Sequence, residues 1–128
     1  MTIGTVVKCQ YGTIDRDYTY GIFIVLYHEA NDITVVHDKN VIGLKLTSNG
    51  RGLHYDVPIL QKYNNFLKRD SYVMCSKPHV LDVTRCETLG VVNVVDLFKI
   101  YNMYLRFQKE LQEQLTGQIL NEMKGGMV

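Results

Sequence analysis

Two periodicities divide the chain. Up to about residue 92, apolar residues come in short runs or alternate with polar ones, as they do in β-strands. From Asn93 onward they recur at three- and four-residue steps, as on one side of a helix. Gly4 to Gln10 opens as a strand, and Tyr11 to Tyr20 reads as a polar loop. Gly21 to His28 has few polar positions on either face, which predicts a central strand. Ile33 to His37 reads as a short strand between two turns. In Val41 to Thr47, Ile42, Leu44 and Leu46 share a face predicted to be core, while Gly43, Lys45 and Thr47 share the other. That second face has an amine and a hydroxyl beside a glycine, leaving room for a ligand or another backbone. Ser48 to Gly52 is a glycine-rich turn with Asn49-Gly50 as a hairpin signal. Leu53 to Ile59 reads as a further strand, and Leu60 to Phe66 as either a helical turn or a loop.

Ser71 to Ser76, rich in β-branched, aromatic and apolar residues, is predicted to lie mid-sheet. Pro78 has no N–H to give a ladder, so this strand should end or bulge there. Asp82 to Glu87 is a polar connection and Leu89 to Val92 a short last strand. Asn93 is placed to cap the helix, with Asp96 three residues on in a capping-box position. Val94, Leu97, Phe98, Tyr101, Tyr104, Leu105, Leu111 and Leu115 form its predicted apolar stripe. Gly117 should end or bend the helix, since glycine costs about 1 kcal/mol there. The expected architecture is one domain over 1–128, mainly β: a small, strongly curved antiparallel sheet or partly closed barrel, with the helix from Asn93 to about Thr116 over one opening. Residues 117–128 are expected to form a loosely ordered C-terminal extension.

Composition changes this picture little. Apolar residues at 46% with 21% charged describe a globular chain. The three cysteines, Cys9, Cys75 and Cys86, are odd in number and lack metal-type spacing, which predicts free thiols in a reducing compartment and no metal. No apolar run approaches the ~20 residues of a membrane helix, and no secretory signal pattern opens the chain; both point to the cytoplasm. A net charge of +1 argues against coating nucleic acid by bulk charge. The charge is polarised, however. Between Lys45 and Arg85 seven Lys/Arg face three Asp, while Gly12 to Asn40 holds five acidic residues against two basic. Such a domain attracts a polyanion to one face.

The string Phe66-Leu67-Lys68-Arg69-Asp70-Ser71-Tyr72-Val73, then Cys75-Ser76-Lys77-Pro78-His79-Val80-Leu81-Asp82 and Arg85, resembles the signature of the MazF/PemK/Kid toxins. Leu44 to Ser48 is similar to their apolar-x-x-Thr-Ser strand end, Gly4-Thr5-Val6 to their opening, and Gly21 to His28 to their second strand. The resemblance implies an SH3-like barrel, a homodimer, cleavage of single-stranded RNA without metal or cofactor, and neutralisation by an antitoxin. There are departures. The family's catalytic Arg, followed by Pro, falls where this chain has Gly21-Ile22; its Gln is Lys77, and an acidic residue of some members is Ser76.

Metal-free RNA cleavage needs a base for the 2′-hydroxyl, an acid for the leaving 5′-oxygen, and positive charge at phosphorus. The expected catalytic residues are Thr47 to position a phosphate oxygen, Arg51 to clamp phosphate, and His79 for proton transfer. Lys45, Ser48, Lys68, Arg69 and Lys77 are expected to bind RNA. Plainer readings stand beside these: Thr47 as a strand-end residue, Arg51 as an exposed loop arginine, Lys77 and His79 as surface. Asp82 and Arg85 read as ties within a connection. Tyr11, Tyr18 and Tyr20 offer rings for stacking bases, whereas Tyr101 and Tyr104 fit helix core. Arg16 is a candidate to replace the missing Arg. Three functions compete: an RNA-cleaving toxin, a catalytically degenerate relative that binds RNA or protein, and an interaction domain sharing only the fold.

Overall fold

The computed structural model describes residues 2–11, 19–28, 40–49 and 52–126. Six strands, β1 (Thr5–Tyr11), β2 (Thr19–His28), β3 (Asn40–Thr47), β4 (Asp56–Ile59), β5 (Ser71–Asp82) and β6 (Cys86–Val91), precede one helix, α1 (Val94–Gly126). They form one sheet in the order β4-β5-β3-β2-β1-β6, with every neighbouring pair antiparallel. The mainly-β reading, a curved antiparallel sheet followed by a helix, therefore holds. Register breaks at Val6/Val7, Val25/Tyr27 and Leu44/Leu46 mark where the ladders are irregular, and such breaks bend and twist a sheet. The expected strand Ile33–His37 lies outside the described residues.

The apolar alternation builds two cores, one on each face of the sheet. Val6, Ile24, Leu44, Leu46, Ile59, Val73 and Cys75 pack with Ile100 and Tyr104 of α1. Val7, Cys9, Phe23, Val25, Val41 and Leu81 form the second cluster. Gly43 belongs to this second side. A Cβ there would stand 2.6 Å from Leu81 Cδ1 and 3.2 Å from Phe23 Cβ, so the space beside it is filled by side chains and is not open to a ligand.

Several boundaries differ from expectation. β5 does not stop at Pro78 but runs on to Asp82. Its irregularity lies just before the proline, because Leu46 pairs with Val73 while Leu44 pairs with Pro78. β4 pairs only with Ser71 to Met74, so at Pro78 only β3 remains as a partner, and one missing N–H is tolerated. Leu53 to Tyr55 forms a turn before β4, closed by the Asp56 N–H on the Leu53 carbonyl at 2.9 Å. The connection 60–66 contains a 3₁₀ turn at Gln61–Tyr63. The last strand is longer than expected and starts at Cys86. Cys9, Cys75 and Cys86 are free thiols.

Asn93 caps α1: its Oδ1 accepts the N–H groups of Val95 at 2.9 Å and Asp96 at 3.4 Å. The reciprocal half of the capping box is supplied by a residue distant in sequence. Buried Asn64 accepts the Asn93 N–H at 2.8 Å and donates to the Asp96 carboxylate at 2.9 Å. The buried stripe is Leu97, Ile100, Met103 and Tyr104, whereas Val94, Phe98, Tyr101 and Leu105 are exposed. Tyr101 is thus not core, because the sheet contacts a face rotated from the one expected. The helix also continues through Gly117 to Gly126. A Cβ at Gly117 would meet nothing within 4 Å.

Candidate functional site

At the end of the sheet where β2 starts and β3 finishes lies a cleft of about 640 Å³. Strand β3 contributes Lys45, Leu46 and Thr47 to its wall, followed by Ser48 and Asn49; β2 contributes Tyr20, Gly21 and Ile22. Lys8 of β1 and Glu87 and Leu89 of β6 stand on the other side, and the connection before β5 brings Phe66 to Arg69. Four cations, Lys8, Lys45, Lys68 and Arg69, face one carboxylate, Glu87, among the described lining residues. Together they make a basic concave surface suited to a polyanion.

Local bonds hold these parts in place. Thr47 Oγ1 accepts the Asn49 N–H at 3.2 Å, shaping the turn after β3. Asp70 accepts the Gln61 N–H at 2.8 Å, and Gln61 returns a bond to the Leu67 carbonyl at 3.0 Å, which anchors the Lys68-Arg69 segment. Ser71 Oγ donates to the Arg69 carbonyl at 3.1 Å. The Lys8 ammonium lies over the Tyr20 ring, 5.0 Å from its centroid.

Of the residues expected to act, Lys45, Thr47, Ser48, Lys68 and Arg69 line this cleft; Lys77 and His79 are not among its lining residues. His79 stands opposite Gly43 and packs edge-on against Phe23, centroids 5.2 Å apart. Partial burial, then the charges of Lys45 and Lys77, push its pKa below the ordinary value of 6.5, which favours the neutral ring. Arg51, Arg16, Tyr18 and the side chain of Tyr11 lie outside the described residues. Asp82 behaves as a tie. Its carboxylate accepts the N–H and hydroxyl of Thr84 at 2.9 and 2.7 Å and lies 4.0 Å from Arg85 Nε.

Lys8 and Glu87 were not foreseen. A signal existed: Lys8 shares a strand face with buried Val6, so it is a cation where alternation calls for an apolar residue. Glu87 carried no such mark, because its position depends on the pairing of β6 with β1. Among the described residues no three His, Cys, Asp or Glu gather to hold a metal ion, and no helix is long and apolar enough to cross a membrane.

No protein-family model and no curated protein matches the sequence. Solved structures do. A mycobacterial endoribonuclease in complex with its cognate antitoxin superposes with a TM-score of 0.61 at 20% identity, over 83% of this chain and 92% of that one. The Mycobacterium tuberculosis toxin MazF-mt6 gives 0.62 at 18% identity, over 82% and 96%. A MazE-MazF structure from Deinococcus radiodurans gives 0.61 at 16% identity, over 79% and 89%. With its antiparallel six-stranded sheet and C-terminal helix, this chain has the fold of the MazF toxins.

Proposed function

We propose that this protein is a MazF-like toxin: a metal-independent endoribonuclease acting on single-stranded RNA in the cytoplasm as a homodimer, held in check by an antitoxin. The observation that carries the reading is the basic cleft, which places Lys45, Thr47, Ser48, Lys68 and Arg69 together on a MazF fold. Lysines and an arginine attract and clamp the phosphates, while Tyr20, Phe66 and the apolar wall of Ile22, Leu67 and Leu89 offer surfaces for bases. In this reading Thr47 orients a phosphate oxygen, with Ser48 beside it. Arg51, two residues beyond Asn49 in the sequence, is the proposed phosphate clamp, and Lys77 extends the basic surface. His79, close enough to Lys45 to feel its charge, stands outside the cleft's lining and in this reading borders the basic surface without transferring protons. The antitoxin partner is proposed because a neighbour of this fold is seen with its own.

A second reading, a degenerate relative that binds RNA without cutting it, is favoured by one observation. Gly21 lines the cleft where the resemblance calls for a catalytic arginine. One assay separates the readings: purified protein, long single-stranded RNA and a chelator. The expected result is cleavage that chelator does not suppress. Bound but intact RNA at high enzyme concentration selects the binding-only reading; neither binding nor cleavage rejects both.

A further inference from the structure

Where the resemblance calls for an arginine the cleft has Gly21, and charged residues line it on the neighbouring strands. β1 lies between β2 and β6, and Lys8 is the direct cross-strand partner of Ile22 on one side and Glu87 on the other. Directly opposed residues project to the same face with their Cβ atoms about 5 Å apart. Lys8 therefore stands beside Glu87, next to the bare backbone of Gly21, and all three line the cleft. Both charged side chains are exposed, so neither is committed to the core. Tyr20 holds the ammonium over its ring. Among the described lining residues Glu87 is the single carboxylate on a surface otherwise suited to an anion, and none is a histidine.

We propose that Lys8 and Glu87, facing each other across β1 and β6, are the acid and base of the RNA-cleaving cleft, with Tyr20 as the positioning residue for Lys8. This rests on the endoribonuclease reading given above. The Glu87 carboxylate takes the proton of the ribose 2′-hydroxyl. The 2′-oxygen forms a bond to phosphorus, and the bond from phosphorus to the 5′-oxygen breaks. The Lys8 ammonium, whose charge also stabilises the phosphorane, gives its proton to the departing 5′-oxygen. The products are a 2′,3′-cyclic phosphate and a 5′-hydroxyl. Glu87 then releases its proton to water and the Lys8 amine regains one from water, which restores the starting state with no net change in protons.

A purely electrostatic surface role for the two residues makes the opposite prediction, which is what the experiment uses. Glu87→Gln, Lys8→Met and Lys8→Arg are compared with the unmodified protein. Single-turnover cleavage of a mixed-sequence single-stranded RNA is followed in chelator across a pH series, with RNA affinity from fluorescence anisotropy and thermal midpoints alongside. If Glu87 is the base, Glu87→Gln binds RNA as tightly or tighter, yet cleaves about 10²–10⁴-fold more slowly and loses the acidic limb of the pH profile. Lys8→Arg keeps the charge but holds its proton, so its rate falls while binding stays; Lys8→Met loses both. Tyr20→Leu slows cleavage, and Tyr20→Phe, which keeps the ring, cleaves faster than Tyr20→Leu. If Glu87→Gln and Lys8→Arg cleave at the unmodified rate with an unchanged pH profile, the assignment is overturned and the endoribonuclease reading stands. If the unmodified protein does not cleave at all, both fall.

Discussion

Single atoms decide how much this domain tolerates at two positions. A Cβ at Gly90 would stand 2.5 Å from Cδ1 and 2.8 Å from Cγ of Phe66. These are ring atoms of a side chain lining the cleft. Gly90→Ala therefore forces the ring or the strand to move, at a cost of about 1–3 kcal/mol. The expected outcome is a lower unfolding midpoint in denaturant together with weakened RNA binding, since the displaced ring is part of the cleft. Asn64 is the other position. It is 2% exposed and bonds the Leu60 carbonyl, the Asp96 carboxylate and the Asn93 N–H. Asn64→Ala leaves these groups without their partner and should cost on the order of 2–4 kcal/mol. Urea titration of the variant measures it, and an unchanged midpoint would contradict the role.

At the scale of elements, α1 is tied to the turn before β4 by one carboxylate. Glu110 accepts a short hydrogen bond from the Tyr55 hydroxyl and a 2.9 Å bond from Arg106 Nε, and His54 Nε2 lies 3.8 Å away. The tyrosine packs edge-on against Phe107, centroids 5.0 Å apart. The Tyr55 bond, then the Arg106 bond, hold the Glu110 carboxyl below its ordinary value of 4.5. A depressed carboxyl stabilises the fold above the unfolded value and loses that contribution as pH falls through the folded one. Urea unfolding at pH 7 and at pH 3 should show a smaller acid-induced loss for Tyr55→Phe than for the unmodified protein. Equal losses would mean that the bond does not couple helix and turn. Beyond this tie α1 runs free of the sheet, since every side chain from Leu111 to Gly125 is exposed. Removing residues 117–128 should leave the unfolding midpoint unchanged.

For the whole molecule, the relevant quantity is where the charge lies. Net charge is only +1, yet four cations among the described residues line one cleft. If all four neutralise phosphates, RNA affinity should fall with salt at a logarithmic slope of roughly −3, from about −0.7 per contact on single strands. A slope near zero would remove the electrostatic basis of the reading. Assembly belongs to the same scale. Val94, Phe98, Tyr101 and Leu105 leave an exposed apolar strip along α1, the kind of surface that marks an interaction. Light scattering at micromolar concentration should give a dimer, and a strict monomer would contradict it.

What could be read directly was whatever local chemistry dictates. Alternation in Val41 to Thr47 and the uninterrupted apolar run of β2 sufficed for a central antiparallel sheet, because side-chain period follows from backbone geometry. The change of period at Asn93 marked the helix and its cap, because the Asn93 carboxamide reaches its own first turn. Thr47, Ser48, Lys68 and Arg69 were found because each sits at or beside an element's end, where polar groups collect. Everything that needed two distant segments was decided only by the tertiary structure. Which stripe of α1 is buried, Ile100 and Tyr104 in place of Tyr101, depends on how the helix lies on the sheet. Asn64 completes a cap 29 residues away in sequence. Gly43 faces a second core in place of an open surface, because Leu81 returns to fill the space. Lys8 and Glu87 stand opposite each other because the last strand pairs back onto the first, and register between segments so far apart is set by packing, which no local pattern encodes.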